Sequence, residues 1–139
     1  MANPAFSTRY RLPDGRYAVN VTENKTLTAA DSGIVQNVTV ASVTVTLPAT
    51  ATQGIWTVRD GGVKATNGAA GAVVSPSAPK VDPNPSDTVA GFNVSGASAD
   101  GKYLYSSSAR IGDEITVQNT GATDGGIVIG SQGDWTREA

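Results

Sequence analysis

The side chains that usually perform enzyme chemistry are scarce in this sequence. Its 139 residues include no histidine and no cysteine. A histidine general base, a thiol nucleophile and a zinc site built on thiolates are therefore all excluded. Most familiar catalytic mechanisms depend on one of these groups, so we expect a protein that is not an enzyme and that needs no cofactor.

Carboxylate pairs are the remaining candidates for catalysis, because two acids alone can hydrolyse a glycosidic bond. Asp113 and Glu114 are adjacent at the expected start of a strand, so their side chains should leave on opposite faces. Asp82 and Asp87 flank a proline-rich segment, where we expect no burial that would shift a pKa. The sequence also lacks the clustered oxygen ligands of a metal-binding loop. We therefore expect neither a catalytic site nor a metal site.

A basic and aromatic segment at the N-terminus is the main candidate for partner binding. Residues 1–13 are bracketed by Pro4 and Pro13 and are expected to form an extended arm without regular structure. Such a segment is either a frayed terminus or an arm that becomes ordered on a neighbouring subunit or a partner. The candidate contact residues in the arm and the strand that follows it are Phe6, Arg9, Tyr10, Arg11 and Tyr17.

The distribution of charge argues against a nucleic-acid partner. The chain has a net charge of −2, although its first 25 residues hold four basic and two acidic side chains. Affinity for nucleic acid rests on clustered lysine and arginine, which four scattered residues do not supply. No run of 18 apolar residues occurs, and the N-terminal segment lacks the apolar centre of a secretion signal. We expect no nucleic acid and no membrane among the partners.

Four further aromatic residues raise the alternative of sugar binding. Trp56, Tyr103, Tyr105 and Trp135 all fall in or beside strand patterns. We favour packing in the core or in an interface for them, because aromatic side chains bury large apolar areas there. Exposure of both tryptophans would support a carbohydrate-binding module, and burial of both would weigh against it.

Composition and alternation predict an all-β fold. Valine occurs sixteen times and leucine four times, and β-branched residues favour strands. Roughly nine short strands separated by turn residues are typical of sandwiches and barrels. We therefore predict that residues 14–139 form a single β-sandwich or distorted β-barrel domain, preceded by the arm at 1–13. Within the domain, four prolines between residues 75 and 87 predict one extended surface loop.

Local patterns predict several turns and strand faces. The alternation in the strand that contains Trp56 places Trp56 and Val58 on one face. Residues 27–33 are expected to form a turn before the next strand, with a single capped helical turn as the alternative. The change of parity at residues 41–42 indicates a bulge or a tight hairpin, and Asp-Gly at residues 60–61 is a hairpin signal.

Self-association is expected from the small supply of large apolar side chains, about a quarter of the residues. A thin core is supplemented when further apolar area is buried between subunits. Sheets also leave edge strands that must be paired or covered. Both arguments indicate a homo-oligomer without fixing the number of its subunits.

Several motifs together resemble small β-structured virion proteins of tailed bacteriophages. They are the LTAADSG segment at 27–33, a valine- and threonine-rich strand that ends in Leu-Pro, the ARIGD segment at 109–113 and the closing GDWTRE at 133–138. The likeness covers residues 26–138. It is a likeness of pattern and includes no active-site motif.

Within that group, a chain of this size is most similar to a capsid decoration, or cement, protein. The resemblance implies a trimer that sits on the outside of the expanded head, binds the major capsid protein and stabilises the shell. It also implies a location on the virion surface after synthesis in the bacterial cytoplasm. The alternatives are a tail or fibre component, a receptor- or glycan-binding β-module of a phage, and a non-viral sandwich such as a carbohydrate-binding module.

Overall fold

The computed structural model describes residues 9–64, 72–91, 94–96, 98–123 and 125–139 of the chain. The regular structure of these residues consists of fifteen strands, numbered β1 to β15 in chain order, and one 3-10 helix at Ala29–Asp31. The prediction of an all-β fold is confirmed. The predicted face of the strand around residue 56 is also correct, because Trp56 and Val58 are buried while Ile55 is exposed.

Most strands belong to two sheets. The seven-stranded sheet has the spatial order β1 (Tyr10–Arg11), β2 (Tyr17–Val21), β4 (Val35–Val38), β6 (Gly54–Asp60), β13 (Glu114–Asn119), β14 (Gly126–Gln132) and β10 (Val89–Ala90). The six-stranded sheet has the order β11 (Val94–Ser95), β15 (Trp135–Arg137), β12 (Leu104–Ser106), β9 (Lys80–Asp82), β5 (Thr44–Thr46) and β3 (Lys25–Thr26). A separate two-stranded ribbon pairs β7 (Val63–Lys64) with β8 (Val73–Ser75).

One hydrophobic core lies between the two sheets and gives the domain its sandwich arrangement. The seven-stranded sheet contributes Trp56, Ile115 and Val117, and the six-stranded sheet contributes Val81 and Leu104. Each of these side chains is at most 1% exposed. Burial of this apolar area is the main force that holds the sheets together.

The first half of the chain winds between the sheets and does not form hairpins at the predicted places. β2, β4 and β6 are parallel neighbours in one sheet, while β3, β5 and β9 are parallel neighbours in the other. The bulge or tight hairpin predicted at residues 41–42 is therefore wrong, because β4 and β5 lie in different sheets. Ser42 makes the crossing with a left-handed backbone, at φ 63°. The Asp-Gly signal at 60–61 is likewise not a hairpin, since β6 and β7 do not pair.

The proline-rich segment is not a single surface loop, which corrects the sequence prediction. Its centre is β9, which pairs with β12 on one side and with β5 on the other. Val81 is completely buried in the core. Pro79 and Pro83 lie just outside the strand, so every residue of β9 keeps the backbone N–H that a sheet requires.

The LTAADSG segment forms the turn that leads into β4. Thr28 precedes the 3-10 helix, and its backbone N–H donates to Asp31 Oδ2 at 2.9 Å. The chain then reverses at Gly33, whose φ of +82° is readily available only to glycine. Trp56 Nε1 donates to the carbonyl of Thr28 at 3.1 Å, which fastens this turn to the core. The capped helical turn, which was the less favoured alternative for residues 27–33, is therefore the one that forms.

The ARIGD and GDWTRE motifs also make hydrogen bonds that hold the fold together. In ARIGD, the buried carboxylate of Asp113 accepts hydrogen bonds from the Ser106 hydroxyl at 2.7 Å and from the Arg110 backbone at 3.0 Å. In GDWTRE, the buried guanidinium of Arg137 donates to the carbonyls of Val89 and Val94, which lie in different sheets, and to that of Gly96. Burial lowers the pKa of Arg137.

Candidate partner-binding surfaces

The N-terminal candidates lie on an edge strand that folds back onto the domain. Tyr10–Arg11 forms β1 and pairs antiparallel with β2, with Arg11 opposite Tyr17. The predicted turn at Pro13–Gly15 closes this hairpin, because Gly15 donates to the Leu12 carbonyl at 2.9 Å. The described part of the arm is thus regular structure, whereas the sequence suggested none. Phe6 lies outside the described residues.

Two arginines contact one tyrosine ring and form what we call the arginine–tyrosine cluster, Arg9, Arg11 and Tyr17. Arg9 Cζ lies 4.7 Å and Arg11 Cζ 5.0 Å from the centroid of the Tyr17 ring. Arg11 Nη2 also donates to the Tyr17 hydroxyl at 2.9 Å. This hydrogen bond, aided by the charges of both arginines, lowers the pKa of Tyr17. Tyr17 remains 40% exposed, so a partner can reach the cluster.

Tyr10 is separated from this cluster because neighbouring residues of a strand point to opposite faces. Its hydroxyl donates to Asn20 Oδ1 at 2.7 Å and accepts from Asn37 Nδ2 at 3.1 Å. These bonds fix the Tyr10 ring on the outer face of the seven-stranded sheet. Of the five residues predicted as contacts, the structure thus joins three, Arg9, Arg11 and Tyr17, and places Tyr10 on the other side of β1.

Part of the local positive charge is neutralised by a residue distant in sequence. Arg16 Nη1 lies 3.0 Å from Glu114 Oε2, and Arg16 Nη2 lies 2.8 Å from Asp14 Oδ2. Hydrogen bonds to these two carboxylates raise the pKa of Arg16. Glu114 had no role in the sequence prediction of this region, since nothing in the local pattern places β13 near the first turn.

The outer face of the seven-stranded sheet also carries an exposed apolar patch. Ile55 of β6 and Ile127 of β14 both pair with Gln118 of β13, which places the three in one line across the sheet. Ile129 is the extra residue at the bulge in β14. We call Ile55, Ile127 and Ile129 the isoleucine row; their exposed fractions are 40%, 42% and 51%. An open depression of about 540 Å³ adjoins Ile55 and Gln118.

The tryptophans do not form a sugar-stacking surface. Trp56 is 0% and Trp135 2% exposed. Their indole N–H groups donate to the carbonyls of Thr28 and Gln132. Core packing, the interpretation favoured from the sequence, is confirmed for both. Tyr103 and Tyr105 are different, because they remain half-buried on the outer face of the six-stranded sheet.

The acidic residues considered above as candidate pairs have different surroundings, and the structure does not bring either pair together. Asp113 and Glu114 leave on opposite faces as predicted, one bound to Ser106 and the other to Arg16. Asp87 is buried and accepts from the backbone and the hydroxyl of Thr50 at 2.9 and 3.0 Å. The expectation that burial would leave Asp82 unaffected is wrong, since burial raises the pKa of Asp82. Among the described residues, no group of three or more acidic side chains is arranged to hold a metal ion.

No family model, curated protein or solved structure matches the chain. Within the part of the chain that the structure describes, no helix has the length and apolar character needed to cross a bilayer. Inference about function therefore rests on the sequence motifs and on the surfaces described above.

Proposed function

We propose that this chain is a capsid decoration protein, which binds the outside of an expanded phage head as a trimer and stabilises the shell. The likeness of its motifs to small phage virion proteins supports the choice of class. Three of those motifs have a defined part in the sandwich, as the turn before β4, the turn before β13 and the hydrogen bonds of Arg137. These motifs therefore account for the fold of the domain, and they do not identify the surface that contacts the capsid.

The exposed arginine–tyrosine cluster is the observation that carries the proposed attachment. Arg11 and Tyr17 lie on an edge pair of strands, and both are exposed. Arginine and tyrosine are enriched at the energetic centres of protein interfaces, because both combine apolar contact area with hydrogen-bonding groups. An acidic or apolar patch of the major capsid protein is a suitable counterpart for this surface.

Stabilisation of the head then follows from mass action. A protein that binds the expanded shell and not the immature shell stabilises the expanded form by its binding free energy. A trimer with three copies of the cluster gains effective affinity from multivalency, so modest contacts at each copy are sufficient. This role requires no catalytic group, which agrees with a sequence without histidine or cysteine.

The test is co-sedimentation of the purified protein with expanded heads that lack it, prepared from the phage that encodes it. The wild-type protein is expected to bind at a copy number in simple ratio to the major capsid protein. The double variant Arg9→Ala/Arg11→Ala should weaken binding at least about a hundredfold, because truncation of an interface arginine commonly costs tenfold or more and the loss is repeated in each subunit.

A matched control removes a surface arginine elsewhere. Arg110 forms a loose surface pair with Asp134 at 3.7 Å, so Arg110→Ala changes the charge of an exposed loop without altering the cluster. This variant should bind heads as the wild type does. Failure of the wild-type protein to bind heads would contradict the proposed function, whereas equal binding by the double variant would contradict only the assigned surface.

A further inference from the structure

The outer face of the six-stranded sheet contains a second candidate site, independent of the decoration role. A cavity of about 370 Å³ is lined by Ser42, Ala78, Lys80, Tyr103, Tyr105 and Ser106, and we call it the tyrosine cavity. Its volume is at the lower end of the range of small-molecule sites, about 300–1,000 Å³. The cavity lies on the opposite side of the sandwich from the isoleucine row.

Two tyrosines form an aromatic platform along one wall. Tyr103 and Tyr105 are two residues apart around β12 and therefore share a face. Their ring centroids are 5.8 Å apart, with the planes tilted by 53°. Among the described residues, neither hydroxyl has a hydrogen-bond partner, so both are available to a ligand. Lys80, opposite Tyr105 in the sheet, places Nζ 4.6 Å from the centroid of Tyr103.

The opposite wall has an unusual backbone. Ser42 and Ala78 have φ values of 63° and 48°, and they are the two non-glycine residues with positive φ in the described part of the chain. Such backbone conformations are energetically costly for residues with a side chain, and residues of this kind cluster at ligand sites. Both of them line this one cavity.

A buried carboxylate holds that wall in place. Asp60 is completely buried, and its Oδ1 accepts from the backbone and the hydroxyl of Ser77 at 2.8 and 2.7 Å. Its Oδ2 accepts from the Ala78 backbone at 3.1 Å. The carbonyl of Ser77 in turn accepts from the Ser42 backbone at 3.4 Å. The wall is therefore fixed before a ligand arrives, which lowers the entropic cost of binding.

We propose that the tyrosine cavity binds a neutral oligosaccharide of hexose units. The face of the Tyr105 ring suits the apolar C–H face of a pyranose, while the two tyrosine hydroxyls and the Lys80 ammonium, which lies over the Tyr103 ring, suit its hydroxyl groups. The cavity lining includes no carboxylate. Asp82 lies on the same face and offsets the charge of Lys80, so neither an anionic nor a cationic ligand is favoured.

Titration of the 15N-labelled protein with maltohexaose, cellohexaose, laminarihexaose and mannohexaose tests this assignment. At least one sugar should bind with a millimolar or lower Kd and shift the amide signals of Ser42, Ala78, Tyr103 and Tyr105. Tyr105→Ala should raise that Kd about tenfold, because it removes one stacking surface. Tyr105→Phe should retain most of the affinity, which separates stacking from hydrogen bonding.

Tyr17→Ala is the matched control, since it removes an exposed tyrosine from the other sheet and should leave sugar binding unchanged. If Tyr105→Ala does not fold, Lys80→Met provides the same comparison and should raise the Kd severalfold. The assignment is overturned if none of the four sugars shifts the cavity signals, or if the shifts persist unchanged in the cavity variants. Neither outcome of the sugar titration bears on the proposed binding to phage heads, which the co-sedimentation experiment tests separately.

Discussion

The outer faces of the two sheets present different kinds of surface. The face of the seven-stranded sheet exposes the isoleucine row across neighbouring strands and has Tyr10 fixed by two asparagines near its edge. The six-stranded sheet instead has a small cavity whose wall is fixed by buried hydrogen bonds. A broad exposed apolar surface suits a macromolecular partner, whereas a small preformed cavity suits a small ligand. The two surfaces for which we propose partners therefore lie on opposite faces of the sandwich.

The largest expected effect is on stability and comes from Asp60→Ala. This substitution removes the carboxylate that holds the wall of the tyrosine cavity, the feature that distinguishes the two faces. The substitution leaves the buried N–H groups of Gly62 and Ser77 and the buried Ser77 hydroxyl without their acceptor, as well as the part-buried N–H of Ala78. Each such group costs about 1–3 kcal/mol, so we expect the free energy of unfolding to fall by roughly 3 kcal/mol or more. Chemical denaturation with guanidinium chloride measures this change.

The control for Asp60 is Asp14→Ala, because Asp14 also accepts hydrogen bonds but is exposed. Its unfolding curve should be nearly that of the wild type. Amide exchange of the Asp60 variant should also rise at residues 77–80 before it rises in the β1–β2 hairpin. Equal stability of the Asp60 variant and the wild type would contradict the role of this carboxylate.

A second prediction concerns the isoleucine row as the surface of self-association. Ile55→Ser/Ile127→Ser should raise the dissociation constant of the oligomer about a hundredfold, since each side chain contributes roughly 1–2 kcal/mol when its exposed area is buried. Analytical ultracentrifugation across a range of concentrations measures the change. Val40→Ser is the control, because Val40 has the same 40% exposure as Ile55 and lies outside the row. An unchanged oligomer in the double variant would exclude this surface as the interface.

The smallest predicted effect is on the pH dependence of stability, and it arises from Asp82, which lies on the same face of β9 as Lys80 of the tyrosine cavity. Burial raises the pKa of Asp82 above its ordinary value of 3.8, Glu138 adds to the rise, and Lys80 opposes it. The folded state therefore binds this proton more tightly than the unfolded chain. The resulting stabilisation is complete below about pH 3.8 and is lost as the pH rises through the raised pKa.

Asp82→Asn removes this titration and should raise Tm slightly at neutral pH, with a difference that shrinks as the pH falls. Calorimetry of both proteins at a series of pH values measures the effect. Glu23→Gln serves as an exposed carboxyl control. A difference in Tm that grows towards acidic pH would contradict the predicted direction.

Strand alternation predicted local orientation well where the two faces of a strand differ in character. In β6, alternation correctly grouped Trp56 with Val58 on one face, and the structure shows that this face is the buried one. In β14, the run Ile127–Val128–Ile129 is apolar on both faces, so alternation gives no basis for deciding which face is buried. The structure buries Val128 and leaves both isoleucines exposed, because Val128 lies beside Val117 on the side that faces the second sheet.

The candidate sites depend on pairing between strands that are far apart in the chain more strongly than the strand orientations do. The sequence singled out Arg9, Arg11 and Tyr17, and the hairpin around Gly15 is short enough to bring them together. It also singled out Tyr103 and Tyr105, but among four aromatic residues with no basis for separating them from the two tryptophans. No local signal indicated that Asp60 would hold Ala78, or that Ser42 and Ala78 would line the same cavity.

The sequence alone determined the β class, the absence of histidine and cysteine chemistry, and the turns whose glycines permit positive φ. These properties depend on composition and on the conformations open to each residue, which are local. The tertiary structure decided that β9 enters the six-stranded sheet, that Arg16 meets Glu114, and that one carboxylate fixes the wall of a cavity. These features arise from hydrogen bonds and packing between strands far apart in the chain, so their partners are chosen only when the two sheets close on their common core.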